Sequence, residues 1–425
     1  MDVMQRCCAG LDVHKKDVHA CIRKVGEQGQ VVKEFRVFGT MTRDLLGLRD
    51  WLREHRVTHA AMESTGVYWK PVYHILEGGV ELILCNARDM RNVPGRKTDT
   101  RDSEWIAQLL QHGLLKASFV PPQPVRELRD LTRSRASMEG DKTRVINRIH
   151  KILEDANLKL ASVASDITGV TGRKIIHALI GGQTDPERLA DLAQGQLKKK
   201  RSQLIEALEG KVTDHTRFML RLHMEQLRNT EGLIENIDRQ IERSMAAADA
   251  EAARHADAPL PFVKALTLLV EMWGMGQRSA ENVLAELGTD MKQFPTAEHC
   301  TSWTGICPGS NISAGRNKNS ATRKGNCWLR RALVQAGWAA TRAKQGYMAA
   351  RFKRLAARRG KKRAIVATAH SLLKAIYHML KHGVAFVDLG PEHFDKSQQE
   401  RLQRHFVKGL EKLGYHVQLS PIAAA

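Results

Sequence analysis

The chain predicts an α/β domain at its N-terminus, then a long helical middle, then a mostly α C-terminal domain that is strongly basic. Three observations carry this. Apolar residues up to Cys85 alternate between strand and helix periods, those from about 125 to 254 keep a helical period throughout, and positive charge is concentrated late in the chain. At roughly 100–200 residues per domain, 425 residues make two or three domains.

The elements follow in order. Cys8–Val13 and Asp17–Ile22 are strand-like, and Val31 through Phe38 alternates again after the Gly26–Gly29 turn. Thr42–His55 carries Leu45, Leu46, Leu48, Trp51 and Leu52 at helical spacing. His59–Met62 is a short strand, Tyr68–Leu76 a helix, Val80–Cys85 a buried strand, and a further helix runs to Leu115. Three strands, helix, strand, helix, strand, helix is the order of a ribonuclease-H-like domain, placed at 1–120.

Pro121-Pro122-Gln123-Pro124 predicts a linker. A helical or coiled-coil region, 125–258, follows. Within it Leu220, Leu227, Ile234 and Ile241 recur every seven residues, while Glu231 and Asp238 interrupt the alternate seam positions. That favours a long antiparallel hairpin or a short coiled coil over an extended fibre. Pro259 and Pro261 close the region, and 262–390 forms a compact, mostly helical domain. There, Leu266–Leu287 around Trp273-Gly274-Met275-Gly276 reads as a helix-hairpin-helix. Such a hairpin can offer backbone N–H groups to a phosphate, or serve as a plain connector. Residues 391–425 add one amphipathic helix (Leu402, Phe406, Leu410, Leu413) and an Ala-rich tail.

The net charge is +21, from 67 Lys and Arg against 46 Asp and Glu. Between Asn311 and Val387 lie 18 Lys and Arg and no carboxylate, leaving +3 for the rest of the chain. Like charges at this density repel, and an external polyanion offsets that repulsion; nucleic acid suits better than lipid, because the cations are spread over several elements. No apolar run approaches the roughly 20 residues of a membrane helix, and the N-terminus lacks the pattern of a secretory leader. Seven cysteines with no C-x-x-C pair are no disulfide framework, so a reducing cytoplasm is expected. Cys300, Cys307 and Cys327 with His299 fit no common zinc spacing and are expected to be buried thiols.

Four carboxylates are the candidate site. Asp12 lies among strand hydrophobics, Glu63 ends the fourth strand, and Asp99 and Asp102 stand three apart at a helix start. Carboxylates on adjacent strands and a facing helix end can hold two Mg²⁺ about 4 Å apart for phosphodiester chemistry. Each has a plainer explanation. Asp99 and Asp102 can be first-turn acids favoured by the helix dipole, and Glu63 can cap a helix. Asp12 is the hardest to explain away, since a carboxylate among apolar neighbours is costly unless paired or metal-bound. Asp17 and Asp89 are weaker candidates, and His14 and His19 receive no role. In the basic domain, Ser313 sits in a Gly-rich stretch near Arg316, Arg323, Lys324, Arg330 and Arg331. A serine so placed can accept a phosphoryl group, or simply form a turn. On the residues alone Ser313 is no better placed than Ser310 or Ser320.

Gly10-Leu11-Asp12-Val13-His14-Lys15, Glu63-Ser64-Thr65-Gly66-Val67-Tyr68 and Lys97-Thr98-Asp99-Thr100-Arg101-Asp102 resemble the signature blocks of the DEDD transposases of bacterial insertion sequences, the IS110 family. Gly305-Ile306-Cys307-Pro308 through Ser313, and Lys324-Gly325 through Leu333, match the same family in the same order. Ala314 stands where many relatives have Gly, and Ile306 where Leu is usual; the enlarged helical middle resembles the "eleven-eleven" subgroup.

The resemblance implies a RuvC-like domain with Asp12, Glu63, Asp99 and Asp102 binding Mg²⁺, and a transposase domain with Ser313 as nucleophile. It also implies donor and target DNA, a structured guide RNA from the element's own non-coding end, and a homo-oligomer from dimer to tetramer with sites shared between protomers. The setting would be the bacterial cytoplasm, on the nucleoid when bound to DNA. A phosphoserine link would conserve phosphodiester energy without ATP. Two rivals remain: a Mg²⁺-dependent junction nuclease that cuts by water attack, and an architectural nucleic-acid-binding protein on a degenerate ribonuclease-H fold, against which the four carboxylates argue.

Overall fold

Five strands form one mixed sheet in the computed structural model, which describes residues 3–26, 28–64, 66–86, 102–309, 312–313, 316–317, 321–343 and 346–418. They are β1 (Cys7–Val13), β2 (Asp17–Val25), β3 (Val31–Gly39), β4 (His59–Glu63) and β5 (Glu81–Cys85), in the order β3-β2-β1-β4-β5. The first three make an antiparallel meander, whereas β4 runs parallel to β1 and β5 parallel to β4. With helices α1 (Thr42–Glu54), α2 (Trp69–Leu76) and α3 (Asp102–Gln111), they build a compact unit spanning Met1–Pro121. This mixed five-stranded sheet with helices is consistent with a ribonuclease-H-like domain.

Alternation along the strands decides what each helix covers. Ala9, Leu11 and Val13 of β1 share one core with Leu45, Leu48 and Leu52 of α1 and Val72 and Leu76 of α2. Cys8, Ala61 and Cys85 point the other way, against Ile106 and Leu110 of α3. Sequence periodicity expected α3 to reach Leu115, yet it stops at Gln111: Gly113 turns left-handed (φ +67°), and the Leu114 N–H closes back on the Leu109 carbonyl at 2.9 Å.

The second unit spans Pro122–Ala425 and is mostly helical. The expected proline linker is shorter than predicted, because α4 (Gln123–Asp155) already begins within it. Pro124 falls in the first turn of α4, where no backbone N–H is needed. Short helices α5 (Leu160–Val163), α6 (Val170–Ile180), α7 (Pro186–Ala190) and α8 (Arg201–Ala207) form a lobe, and the chain returns along α9 (Asp214–Ala252). Arg135 meets Asp238 at 2.7 Å and Lys142 meets Glu231 at 3.0 Å, so α4 and α9 are antiparallel and the middle folds back on itself. The two acids that interrupt the heptad seam are therefore ion-pair partners; Glu231 also accepts from Arg173 at 2.6 Å and Asp238 from Arg278 at 2.6 Å.

The rest comprises α10 (Phe262–Val270), α11 (Gln277–Leu287), α12 (Ala297–Thr304), the two-residue strands β6 (Ile312–Ser313) and β7 (Arg316–Asn317), α13 (Cys327–Ala340), α14 (Tyr347–Arg359), α15 (Lys361–His382) and α16 (His393–Lys412). Leu284, Leu329, Leu333 and Ile376 share a core with Val125, Leu128, Ile241 and Met245 from the base of the long hairpin. Gly274, between α10 and α11, is left-handed, and a β-carbon there would lie 2.3 Å from the Ala340 nitrogen. The connector is thus pressed onto the backbone of α13. Among the described residues no helix is long and apolar enough to cross a membrane.

A buried ionic network fastens this unit. The Arg135 guanidinium donates to Asp238, Glu281, Asn282 and the Arg278 carbonyl. The Arg133 fork grips both oxygens of buried Glu286 at 2.7 and 2.8 Å. Arg135→Leu strands the Glu281 carboxylate without its buried cation and should cost about 3–5 kcal/mol, while the double variant Arg135→Leu/Glu281→Leu should recover most of that loss. Urea unfolding followed by the far-UV helical signal measures both.

Candidate active site

Asp12 gets its position from the alternation of β1. Cys8, Gly10 and Asp12 share the face that α3 covers. The parallel register pairs Cys8 with His59, Gly10 with Ala61 and Leu11 with Met62, so Glu63 follows on β4 beside Asp12 and on the same face. A β-carbon on Gly10 would lie 2.1 Å from the Ser103 carbonyl oxygen and 2.4 Å from the Ala107 nitrogen. The α3 backbone rests directly on that glycine, which sets Asp102, its first residue, at the same end of the sheet. Lys33 to Glu104 (2.5 Å) and Arg23 to Gln111 (2.9 Å) tie the helix to β3 and β2.

The Asp12 carboxyl is pushed above the usual carboxylate range, chiefly by burial. The negative charges of Asp102 and Glu63 push it further up; His14 and His19 oppose them. Three carboxylates from three separate elements therefore share one electrostatic neighbourhood. Asp99 lies outside the described residues. Hard oxygen donors that repel one another fit a divalent cation, which would hold them together. Glu63 does not cap the following helix, since α2 starts at Trp69 with Tyr68 in the cap position.

Sequence reasoning gave the neighbouring histidines no role, and the structure sets them beside the carboxylates. His14 Nε2 lies 3.1 Å from Asp12 Oδ2, and ligand atoms of His14, Asp17 and His19 all lie within 4.8 Å of one another. Asp12 pairs with His19 across the β1–β2 ladder. The available signal was the spacing of His14 and His19, each two residues after an aspartate, on both sides of one tight turn.

In the second unit, Ser313 on β6 pairs through its backbone with Arg316 on β7. The Gly309 N–H donates to the Ala321 carbonyl at 2.9 Å, and Pro308 bridges to Thr322, so the pair sits on a longer hairpin-like excursion. Two glycines clamp its base. Gly305 is left-handed, with a β-carbon 2.7 Å from the Arg323 carbonyl, and a β-carbon on Gly325 would lie 2.5 Å from the Thr304 carbonyl carbon. Arg323, Lys324 and Arg331 are exposed, and Arg330 is partly buried. Ser310, Ser320 and Ala314 lie outside the described residues. The cysteines are not uniformly buried as expected: burial pushes the Cys300 thiol up to about 12, whereas Cys327 is exposed at the start of α13.

The family model of the DEDD transposases of IS110 elements matches residues 9–158, and that of the IS116/IS110/IS902 transposases matches residues 266–353. Together they cover more than half of the chain. The chain belongs to the IS110 family of transposases. No curated protein matches it. As an IS110-family transposase it is a DNA-cleaving and DNA-recombining enzyme of transposition, with DNA as substrate, and its DEDD domain implies a divalent metal.

A carboxyl whose pKa is higher in the folded than in the unfolded chain favours folding only while protonated, so its contribution falls as pH rises through the carboxylate range. Asp12→Asn should therefore raise the metal-free melting temperature at pH 7 by a few degrees, and should abolish the further rise expected of the parent protein with a divalent cation such as Mg²⁺. Calorimetry with and without Mg²⁺ checks both halves.

Proposed function

We propose that this transposase is an RNA-guided recombinase that moves its insertion sequence by Mg²⁺-dependent strand cleavage and exchange through a phosphoserine intermediate. The convergence of Asp12, Glu63 and Asp102 at one end of the sheet is the observation that supports this reading most. In it the N-terminal unit is RuvC-like, Asp99 joins the three carboxylates as a fourth ligand, and Mg²⁺ bound there supplies positive charge to the phosphate under attack.

Ser313 is the proposed nucleophile. Its Oγ–P bond forms as the bond from phosphorus to a deoxyribose oxygen breaks, and that oxygen leaves with the proton the serine gives up. Phosphodiester energy is kept in the serine ester, so resealing needs no ATP. Arg316, Arg323, Lys324, Arg330 and Arg331 hold the nucleic-acid backbone around the excursion. The α10–α11 connector acts as a helix-hairpin-helix, receiving a phosphate on the open side of Gly276 at the start of α11. The long α4–α9 hairpin supports placement in the "eleven-eleven" subgroup. The working form is a dimer or tetramer in the bacterial cytoplasm, bound to donor DNA, target DNA and a guide RNA from its own element. The 262–390 segment acts as the transposase domain, and 125–258 as its helical spacer.

Two experiments test this. Asp102→Asn should abolish strand cleavage while leaving DNA binding within about threefold, and Ser313→Ala should remove a protein–DNA adduct that survives denaturation. Normal cutting by Ser313→Ala with no adduct in the parent protein would favour the junction nuclease. Protein purified from cells carrying its native element should bring one discrete RNA that maps beside its own gene; scattered cellular RNA would count against guidance.

A further inference from the structure

The first part of α13 closes a cleft of about 440 Å³ against α4 and α11, within the Pro122–Ala425 unit. That is within the usual range for a small-molecule site, about 300–1,000 Å³. Trp328 stands in its wall, half-buried. The Arg331 guanidinium carbon lies over the indole at 5.2 Å and that of Arg133 at 5.8 Å. These two cations differ in their other partners. Arg133 is committed through both nitrogens of its fork to Glu286. Arg331 is exposed and has no carboxylate partner among the described residues.

Charge neutralisation inside the cleft is therefore complete at Arg133 and incomplete at Arg331. Glu286 also receives Asn326, and Glu139 receives Arg278, which uses its other nitrogen on Asp238. An extra negative charge is welcome only beside Arg331. Ser279, Asn282 and Gln335 also line the cleft. The Asn282 carbonyl oxygen accepts from Arg135, which leaves its NH₂ group directed to no described partner. A flat aromatic stack, one uncommitted guanidinium and short amide and hydroxyl groups form the set that recognises an unpaired nucleotide: the base stacks, its edge is hydrogen-bonded, and its phosphate meets the cation. A duplex offers no free base face to such a stack, because its bases are stacked on one another.

We infer that the Trp328–Arg331 cleft binds one unpaired, splayed-out nucleotide of the nucleic acid that this transposase handles. The base lies on the Arg331–Trp328 stack, and Ser279, Asn282 and Gln335 read its edge. This rests on the nucleic-acid recombinase reading, and adds to it a site for a single-stranded or flipped residue directly after the Ser313 excursion. An unpaired nucleotide can come from RNA or from an opened DNA strand, with the same recognition chemistry.

The test uses the full chain with fluorescein-labelled 12-mers: single-stranded RNA, single-stranded DNA and the matching DNA duplex, each with one 5-iodouracil. Photocrosslinking followed by peptide mapping should place the single-strand crosslink on the peptide that contains Trp328, and the source that crosslinks identifies the strand. Trp328→Ala should weaken single-strand binding about tenfold, with Trp328→Phe within about threefold of the parent protein and duplex binding unchanged. Arg331→Gln, at an exposed position, gives a second variant whose fold is not at stake; it should weaken the same oligonucleotides and lower their salt slope by about one. Single-strand crosslinks only at other peptides, or equal losses on duplex and single strand in both variants, would overturn the inference while leaving the recombinase reading intact. Absence of binding to all three oligonucleotides by the parent protein would overturn both.

Discussion

Asp12 occupies a central strand with apolar neighbours on either side, where a lone carboxylate costs free energy that the fold alone does not return. The sheet makes that cost larger. Its parallel register brings Glu63 alongside, and the bare α-carbon of Gly10 lets α3 settle until Asp102 joins them. Here His14, 3.1 Å from Asp12, and His19 oppose the mutual repulsion of the carboxylates, and the Asp12 carboxyl still stays above its usual range. The second unit faces the same constraint with the opposite outcome. Arg135, Glu281 and Glu286 are also buried, yet each charge meets its opposite within the chain and their hydrogen-bonding capacity is heavily used. One arrangement gathers like charges at the end of a sheet; the other pairs opposite charges into a rigid frame.

That frame ends where the Ser313 excursion begins. Asn326 caps α13 by accepting the Trp328 and Leu329 N–H groups at 3.1 Å, while its amide donates to Glu286 at 2.6 Å. Glu286 belongs to α11 and is held by Arg129 and Arg133 of α4. One asparagine thus links the return end of the excursion to two other helices. On the outgoing side, Gly305 abuts Arg323 and Gly325 with no room for a side chain on either glycine. Both feet of the excursion are fixed by backbone contact and by a short polar relay, so the residues it carries are presented from a defined base.

The strands and most helices were legible from their periods, which in most of them mark a buried face; β3 alternates in sequence although it is exposed along nearly its whole length. What the periodicity could not supply was register. The face on which Asp12, Glu63 and Gly10 coincide depends on β1 and β4 running parallel with Gly10 opposite Ala61, a pairing of residues far apart in sequence. Glu231 and Asp238 looked like defects of a heptad seam because their partners, Lys142, Arg173, Arg135 and Arg278, come from other segments. Asp102 was legible as an acid in a first turn, and nothing local separated that role from a metal ligand. Trp328 reads in the sequence as one aromatic residue in a basic stretch; the cleft around it also needs Arg133, almost two hundred residues earlier.

The distribution of positive charge follows the same logic on a larger scale. Arg351, Lys353, Arg354, Arg358 and Arg359 lie along α14, and Lys361, Lys362 and Arg363 occupy the first turn of α15, across the left-handed Gly360. A helix N-terminus already carries partial positive charge, so three cations in that turn act against the helix dipole as well as against one another. Glu298 answers Lys374 farther along α15, but the stretch from 311 to 387 holds no carboxylate of its own. Such an arrangement weakens the free fold in the same measure that it favours a bound polyanion, because the repulsion relieved on binding is returned as affinity. The basic segment and the acidic sheet end are therefore alike in kind: each gathers like charges that repel one another, the carboxylates at the end of the sheet in one case and the lysines and arginines of 311–387 in the other.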